Sequence, residues 1–160
     1  MSLLENDHVY RMAHITMRDK KNKSVPAIRC FSPTSADDYK LSVDHAESSS
    51  VEISISRVGA TYKRDGSFKN LREFEVYRLN VSETKAISGI IDVYSDPIFS
   101  DPETPGIPNN PAHALIEISR NVEEDEPEIY LRLRDNAIKM DVDYDKASVL
   151  SDQIKSKWII

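Results

Sequence analysis

"SSSVEISISRVGATYKRDG", Ser48 to Gly66, carries two periodicities at once, and the choice between them decides what the sheet looks like. Val51, Ile53 and Ile55 alternate as in a half-buried strand. Val51, Ile55, Val58 and Tyr62 fall instead at i, i+4, i+7 and i+11, along one face of a helix. The ends arbitrate. Ser49 and Glu52 have the spacing of a capping box, in which each side chain satisfies the other's free backbone N–H. Gly66 is the residue type that closes a helix. The stretch therefore reads as a helix within 50–65.

On the N-terminal side, "HVYRMAHI" (8–15), "AIRCFSP" (27–33) and "YKLSVDH" (39–45) read as strands, rich in β-branched, aromatic and aliphatic residues. "MRDKKNKSVP" and "PTSADDY" supply the polar and turn chemistry between them. On the C-terminal side, "FEVYRLNV" (74–81) reads as a strand, Ser82 as the cap of a short helical turn that Gly89 ends, and "IIDVYSDP" (90–97) as a further strand. The segment "DPIFSDPETPGIPNNP" then carries five of the eight prolines, a loop stiffened at little entropic cost to the folded state. It delivers the chain into the strand "AHALIEIS" (112–119). "NVEEDEPE" (121–128) suits a solvated loop or the acidic start of a helix, where Pro127 is tolerated. "IYLRLRDNAIKM" (129–140) places Tyr130, Leu133, Ala137 and Met140 on one helical face, with Glu128 and Arg132 as a favourable i,i+4 pair. Leu150, Ile154 and Trp158, four apart, mark a last amphipathic helix. The expectation is one α+β domain over 1–160. Its sheet is mixed or antiparallel, with about five or six short strands, one helix near 50–65 and two C-terminal helices.

Bulk numbers narrow the function. The chain has 160 residues, 39% hydrophobic and 30% charged, as expected for a globular protein able to bury a core without staples. No run approaches the roughly 18 to 20 apolar residues that cross a bilayer. "MSLLENDHVY" has neither a basic start nor an apolar core of a secretory signal. Cys30 is the only cysteine, so no internal disulfide forms, and a cytoplasmic location is expected. The net charge of −6 argues against nucleic acid, whose binders present a basic stripe. "RDKKNK" (18–23) reads as a solvated hairpin loop, and "QIKSKW" offers only Lys155 and Lys157.

Candidate chemistry is sparse. His113 shares a strand face with Leu115 and Glu117, which permits an imidazole–carboxylate contact with Glu117, as a general base or a satisfied surface histidine would have. Asp141, Asp143, Asp145 and Asp152 have the spacing of a calcium loop. Its sixth position, however, holds Lys146 where glycine is needed, so the acids read as a helix-capping turn. Cys30 with His113 or His14 would be a thiolate–imidazole pair, against which stands the apolar setting "IRCF". No zinc spacing occurs, and the four glycines at 59, 66, 89 and 106 lie too far apart to cradle phosphate. No metal and no cofactor are expected.

"VYRM" followed by "CFSPTSADD" resembles the arginine–serine–glutamate class of ADP-ribosyltransferase-like folds, in which an arginine grips a cofactor phosphate and a serine cluster steadies the ribose. That resemblance implies these parts for Arg11, Thr34 and Ser35, with Glu117 or Glu128 as the acid. A second resemblance runs over about residues 9 to 118. Arg11, Phe31, Pro33, Thr34, Lys40 to Val43 and Asn110 to Ala114 are similar to an F-x-P-T…K-L-S-V patch and a late N-P-A-H-A patch in a group of small bacterial cytosolic proteins with no known activity. It implies a bacterial, cytosolic, single-domain protein. It also implies that the two patches meet in space, with His113 near Lys40, Ser42 and Arg11.

The leading expectation is thus a non-catalytic accessory or adaptor protein that binds another protein in a bacterial cytosolic system. Lys40, Ser42, Asn109, Asn110 and His113 are the candidate binding residues. The first alternative is a small enzyme or nucleotide-binding domain using Arg11, Thr34, Ser35 and His113. The second is an acidic immunity protein or antitoxin.

Overall fold

Val9 and Ala13 face one hydrophobic cluster while Tyr10 and Met12 pack against another, so the first strand is covered on both sides. The computed structural model describes residues 1–22, 26–33, 38–100, 104–119 and 126–158. In chain order the elements are β1 (His8–His14), β2 (Lys40–His45), α1 (Val51–Gly59), β3 (Phe74–Asn80), α2 (Val81–Lys85), β4 (Ile90–Ser95), β5 (His113–Ile118), α3 (Glu126–Asn136), β6 (Ile138–Met140) and α4 (Tyr144–Ser156). The six strands form one antiparallel sheet in the order β4-β5-β2-β1-β3-β6, an α+β arrangement. No helix among the described residues is long and apolar enough to cross a membrane.

Alternation along the strands sorts the two faces. Leu41, Val43, Tyr77, Leu79, Ala114 and Ile116 join Ile129 and Leu133 of α3 on one side. On the other, Val76, Met12 and Phe74 pack with Val51 and Ile55 of α1 and Ala147 of α4.

The ambiguous stretch is helical. Its cap is Ser50, one residue later than expected, whose Oγ accepts from the Ile53 N–H at 3.1 Å. The helix ends at Gly59, not Gly66, and packs closely against α4 there. A Cβ on Gly59 would stand 2.7 Å from both Leu71 Cδ2 and Ser151 Oγ. Gly66 serves a separate tight turn, at φ +83°.

Other expectations are corrected. Ile28–Phe31 is a 3-10 helix and not a strand. Cys30 and Phe31 are fully buried, and a short apolar run that ends up buried has no periodicity to separate the two forms. Asn80, not Ser82, caps α2, accepting from the Glu83 N–H at 2.9 Å. The helix expected through 129–140 stops at Asn136, and Ile138–Met140 leaves it to pair with β3. On α4 the buried stripe is Ala147 and Ser151 rather than Leu150, Ile154 and Trp158. Asp143 caps that helix, accepting from the Lys146 N–H at 3.0 Å, and Asp145 binds Arg72 at 2.7 Å.

The sheet is split at its centre. β1 pairs with β3 along its whole length, from His8↔Asn80 to His14↔Phe74. β2 pairs with β5 from Lys40↔Glu117 to Asp44↔His113. Between β1 and β2, however, only Val9↔His45 and Tyr10↔Asp44 are in register. Past that point the two strands no longer share a ladder. Arg11 spans the gap with its side chain: Nε donates to the Cys30 carbonyl at 3.0 Å, and Nη1 donates to the Ser42 carbonyl at 2.9 Å.

Candidate functional site

Over this split lies a cavity of about 350 Å³. Its floor is the sheet, through Met12, Ser42, Asp44 and His113. One wall is α1, through Ser54, Arg57 and Val58, and the other is the proline loop, through Ile98, Gly106, Ile107, Pro108 and Asn110. Arg11 lines it from the split, and Lys69 and Phe74 close the remaining side.

Its two asparagines brace the proline loop, Asn109 within the loop and Asn110 against the sheet. Asn109 Oδ1 accepts from the Ser100 N–H at 2.6 Å and from the Ser100 hydroxyl at 3.0 Å. Asn110 exchanges backbone hydrogen bonds with Ile98, both 2.9 Å, and its Nδ2 donates to Asp44 Oδ1 at 2.7 Å. Gly106 is needed where the loop touches Tyr62. It has φ +84°, and a Cβ there would lie 2.1 Å from the Tyr62 ring. The asparagines before His113 thus close this wall on itself and fasten its C-terminal end to β2.

Asp44 is the electrostatic centre. It is 1% exposed, its Oδ1 is taken by Asn110, and its Oδ2 faces Arg57 Nη1 at 3.3 Å. Burial draws the Arg57 guanidinium below its ordinary pKa, and the Asp44 carboxylate opposes that shift. A buried pair of this kind holds only because each partner answers the other's charge.

His113 is oriented from outside the cavity. Its Nδ1 lies 2.8 Å from the Asp96 carbonyl oxygen and 3.3 Å from the Asp96 carboxylate. A carbonyl can only accept, so Nδ1 carries the proton and Nε2 is the acceptor of the neutral ring. The partner is therefore Asp96 and not Glu117, which lies at the far end of β5 opposite Lys40.

Of the residues expected from sequence, Arg11, Ser42, Asn110 and His113 line this one cavity. Lys40 lies at the opposite end of β2, with Asp38 at 3.6 Å, and does not reach it. Asn109 lines an adjoining cavity of about 300 Å³ with Ile53, Arg57, Pro108, Ile154, Lys157 and Trp158. Thr34 and Ser35 lie outside the described residues. Glu128 is exposed on α3 and bound to Arg132 at 3.0 Å. Cys30 is sealed in the core, where burial pushes its thiol up, and His14 is engaged by Glu73 at 2.9 Å. Among the described residues no three of His, Cys, Asp and Glu converge to hold a metal ion.

Comparison with family models, curated proteins and solved structures finds no match. The geometry of this site therefore carries the functional reading.

Asp44, Arg57, Lys69 and the loop residues Ile98, Ile107 and Pro108 were not among the expected site residues. Asp44 left a signal, as the one acid in the strand "KLSVD". Arg57 left none, because a basic residue in the last turn of a helix reads as a partner for the helix dipole.

Proposed function

We propose that this chain is a non-catalytic accessory protein of the bacterial cytosol that binds another protein through the proline loop and the cavity beneath it. The observation that carries the reading is the loop's rim. Phe99 is 79% exposed and Ile107 52%, on a segment stiffened by proline, cross-braced by Asn109 on Ser100 and tied to the sheet by Asn110 on Asp44. A rigid loop presenting large apolar side chains beside a concavity loses little entropy on binding and gains apolar burial. The single buried thiol fits a reducing compartment.

The nucleotide-binding alternative draws on Arg11 and His113 lining one cavity. Arg11, however, already spends two donors on backbone carbonyls, and both acids proposed for that chemistry stand elsewhere.

Affinity capture from native lysate separates the readings, using tagged wild type beside a Phe99→Ser/Ile107→Ser variant. The expected result is one stoichiometric protein retained by wild type and lost from the variant, with the melting temperature of the variant unchanged. A partner held equally by both, or a co-purifying nucleotide and no protein, overturns the proposal.

A further inference from the structure

We infer that the partner enters as an extended acidic segment, its carboxylates interleaved with apolar side chains, lying across Pro108 from one cavity into the next. The inference rests on the protein-binding reading above and names the chemistry of what is bound.

Charge carries it. Among the described residues the cavity over the split is lined by Arg11, Arg57 and Lys69 and by a single carboxylate, Asp44. That carboxylate is already engaged on both oxygens, by Asn110 and Arg57. Arg11 is held by carbonyl oxygens, which accept hydrogen bonds without cancelling its charge. Lys69 lies 6.0 Å from the Phe74 ring centroid, and the described residues give it no acid. Among the described residues the adjoining cavity adds Lys157 and no carboxylate. A chain of net charge −6 therefore concentrates uncompensated positive charge around these two cavities. Concave, low-dielectric walls focus such a field onto an anionic ligand.

Shape selects a segment of chain. The two cavities, about 350 and about 300 Å³, share Arg57 and Pro108, so they lie side by side with that proline between them. Val58, Phe74 and Ile107 give the first an apolar surface, and Ile53, Ile154 and Trp158 give one to the second. An extended peptide sets alternate side chains on one side roughly 7 Å apart. It can thereby fill both cavities with apolar groups while its acidic residues meet the cations around them.

A random nonapeptide phage library panned on the full chain tests this. Peptides from the enriched clones are then titrated by fluorescence anisotropy. Enrichment of Asp and Glu between aliphatic or aromatic residues is expected. Lys69→Glu/Lys157→Glu should weaken binding at least about tenfold, as loss of charge-assisted contacts does. Lys69→Gln/Lys157→Gln should lie between it and wild type, and Lys20→Glu/Lys21→Glu, on an exposed loop away from both cavities, should bind as wild type does. Melting curves keep misfolded variants out of the comparison. Neutral or basic enriched peptides, no enrichment, or equal binding by wild type and the double Glu variant overturns the inference. A captured partner that depends on Phe99 and Ile107, found together with any of those results, removes only the acidic segment and leaves the protein-binding reading standing.

Discussion

Arg57 reaches the interior on the strength of one carboxylate. Replacing Asp44 by alanine leaves that guanidinium buried without its counter-charge and frees the Asn110 amide from its acceptor. The cost of such a deletion is about 3–5 kcal/mol. Asp44→Ala should therefore lower the urea midpoint sharply, and Asp44→Ala combined with Arg57→Met should recover most of the loss. A single variant within about 1 kcal/mol of wild type would mean that water reaches Arg57 and that the pair is not structural. At this scale the sequence was partly readable. Asn110 and His113 stand out because two asparagines between prolines need a reason, and the structure supplies one in Ser100 and Asp44. Arg11 is visible as a charge inside an apolar strand. Its role as a bridge between strands is not, since nothing local shows that the ladder beside it fails. Lys40 was misplaced for a related reason. It belongs to the right strand, but the antiparallel register sets it opposite Glu117 while Asp44 takes the place opposite His113.

Among the elements, the contact of α1 with α4 is close enough to exclude a side chain at Gly59, and Ser151 faces it. The Ser151 hydroxyl is buried and finds no hydrogen-bond partner among the described residues. A lone buried hydroxyl costs about 1–3 kcal/mol, and alanine is the better helix former. Ser151→Ala should accordingly raise the melting temperature; a lower one would show that the hydroxyl is solvated or fills essential space. The helix of residues 51–59 was legible because its capping serine and its spacing agree. The 3-10 helix of Ile28–Phe31 was not. Arg29 reaches back to the Thr16 carbonyl and Arg11 reaches in to Cys30, so long-range partners hold a turn in a segment of strand-like composition. β6 was hidden similarly, because Ala137 and Met140 continue the helical spacing of Tyr130 and Leu133, and pairing with the edge of β3 overrides it.

For the molecule as a whole, the sheet's second charged centre sets its response to acid. Glu75 is 4% exposed on β3, with Arg18, Tyr77 and Lys139 around it. Burial pushes its carboxyl up, but the hydrogen bonds from Arg18 and Tyr77 and the charge of Lys139 outweigh that and hold it below its ordinary 4.5. A carboxyl depressed on folding stabilises fully above its unfolded value, and that contribution is lost as the pH falls through the folded one. Stability should therefore decline below pH 4.5. Glu75→Gln should be less stable than wild type at neutral pH and should flatten that decline. A variant with the same acid limb as wild type in chemical denaturation at several pH values would assign the loss to other groups.

The break in register between β1 and β2 reaches beyond the site. Everywhere else in the sheet, separating two neighbours means unzipping a ladder. Here it means releasing two register pairs and one arginine. Amide exchange should therefore be faster along this line than along β1-β3 or β2-β5, with the centre of the sheet opening into two blocks, β4-β5-β2 and β1-β3-β6, each still internally laddered. The cavity sits on the boundary between them. Whatever fills it bridges both blocks and raises the free energy of that opening, so occupancy is felt across the whole sheet as slower exchange.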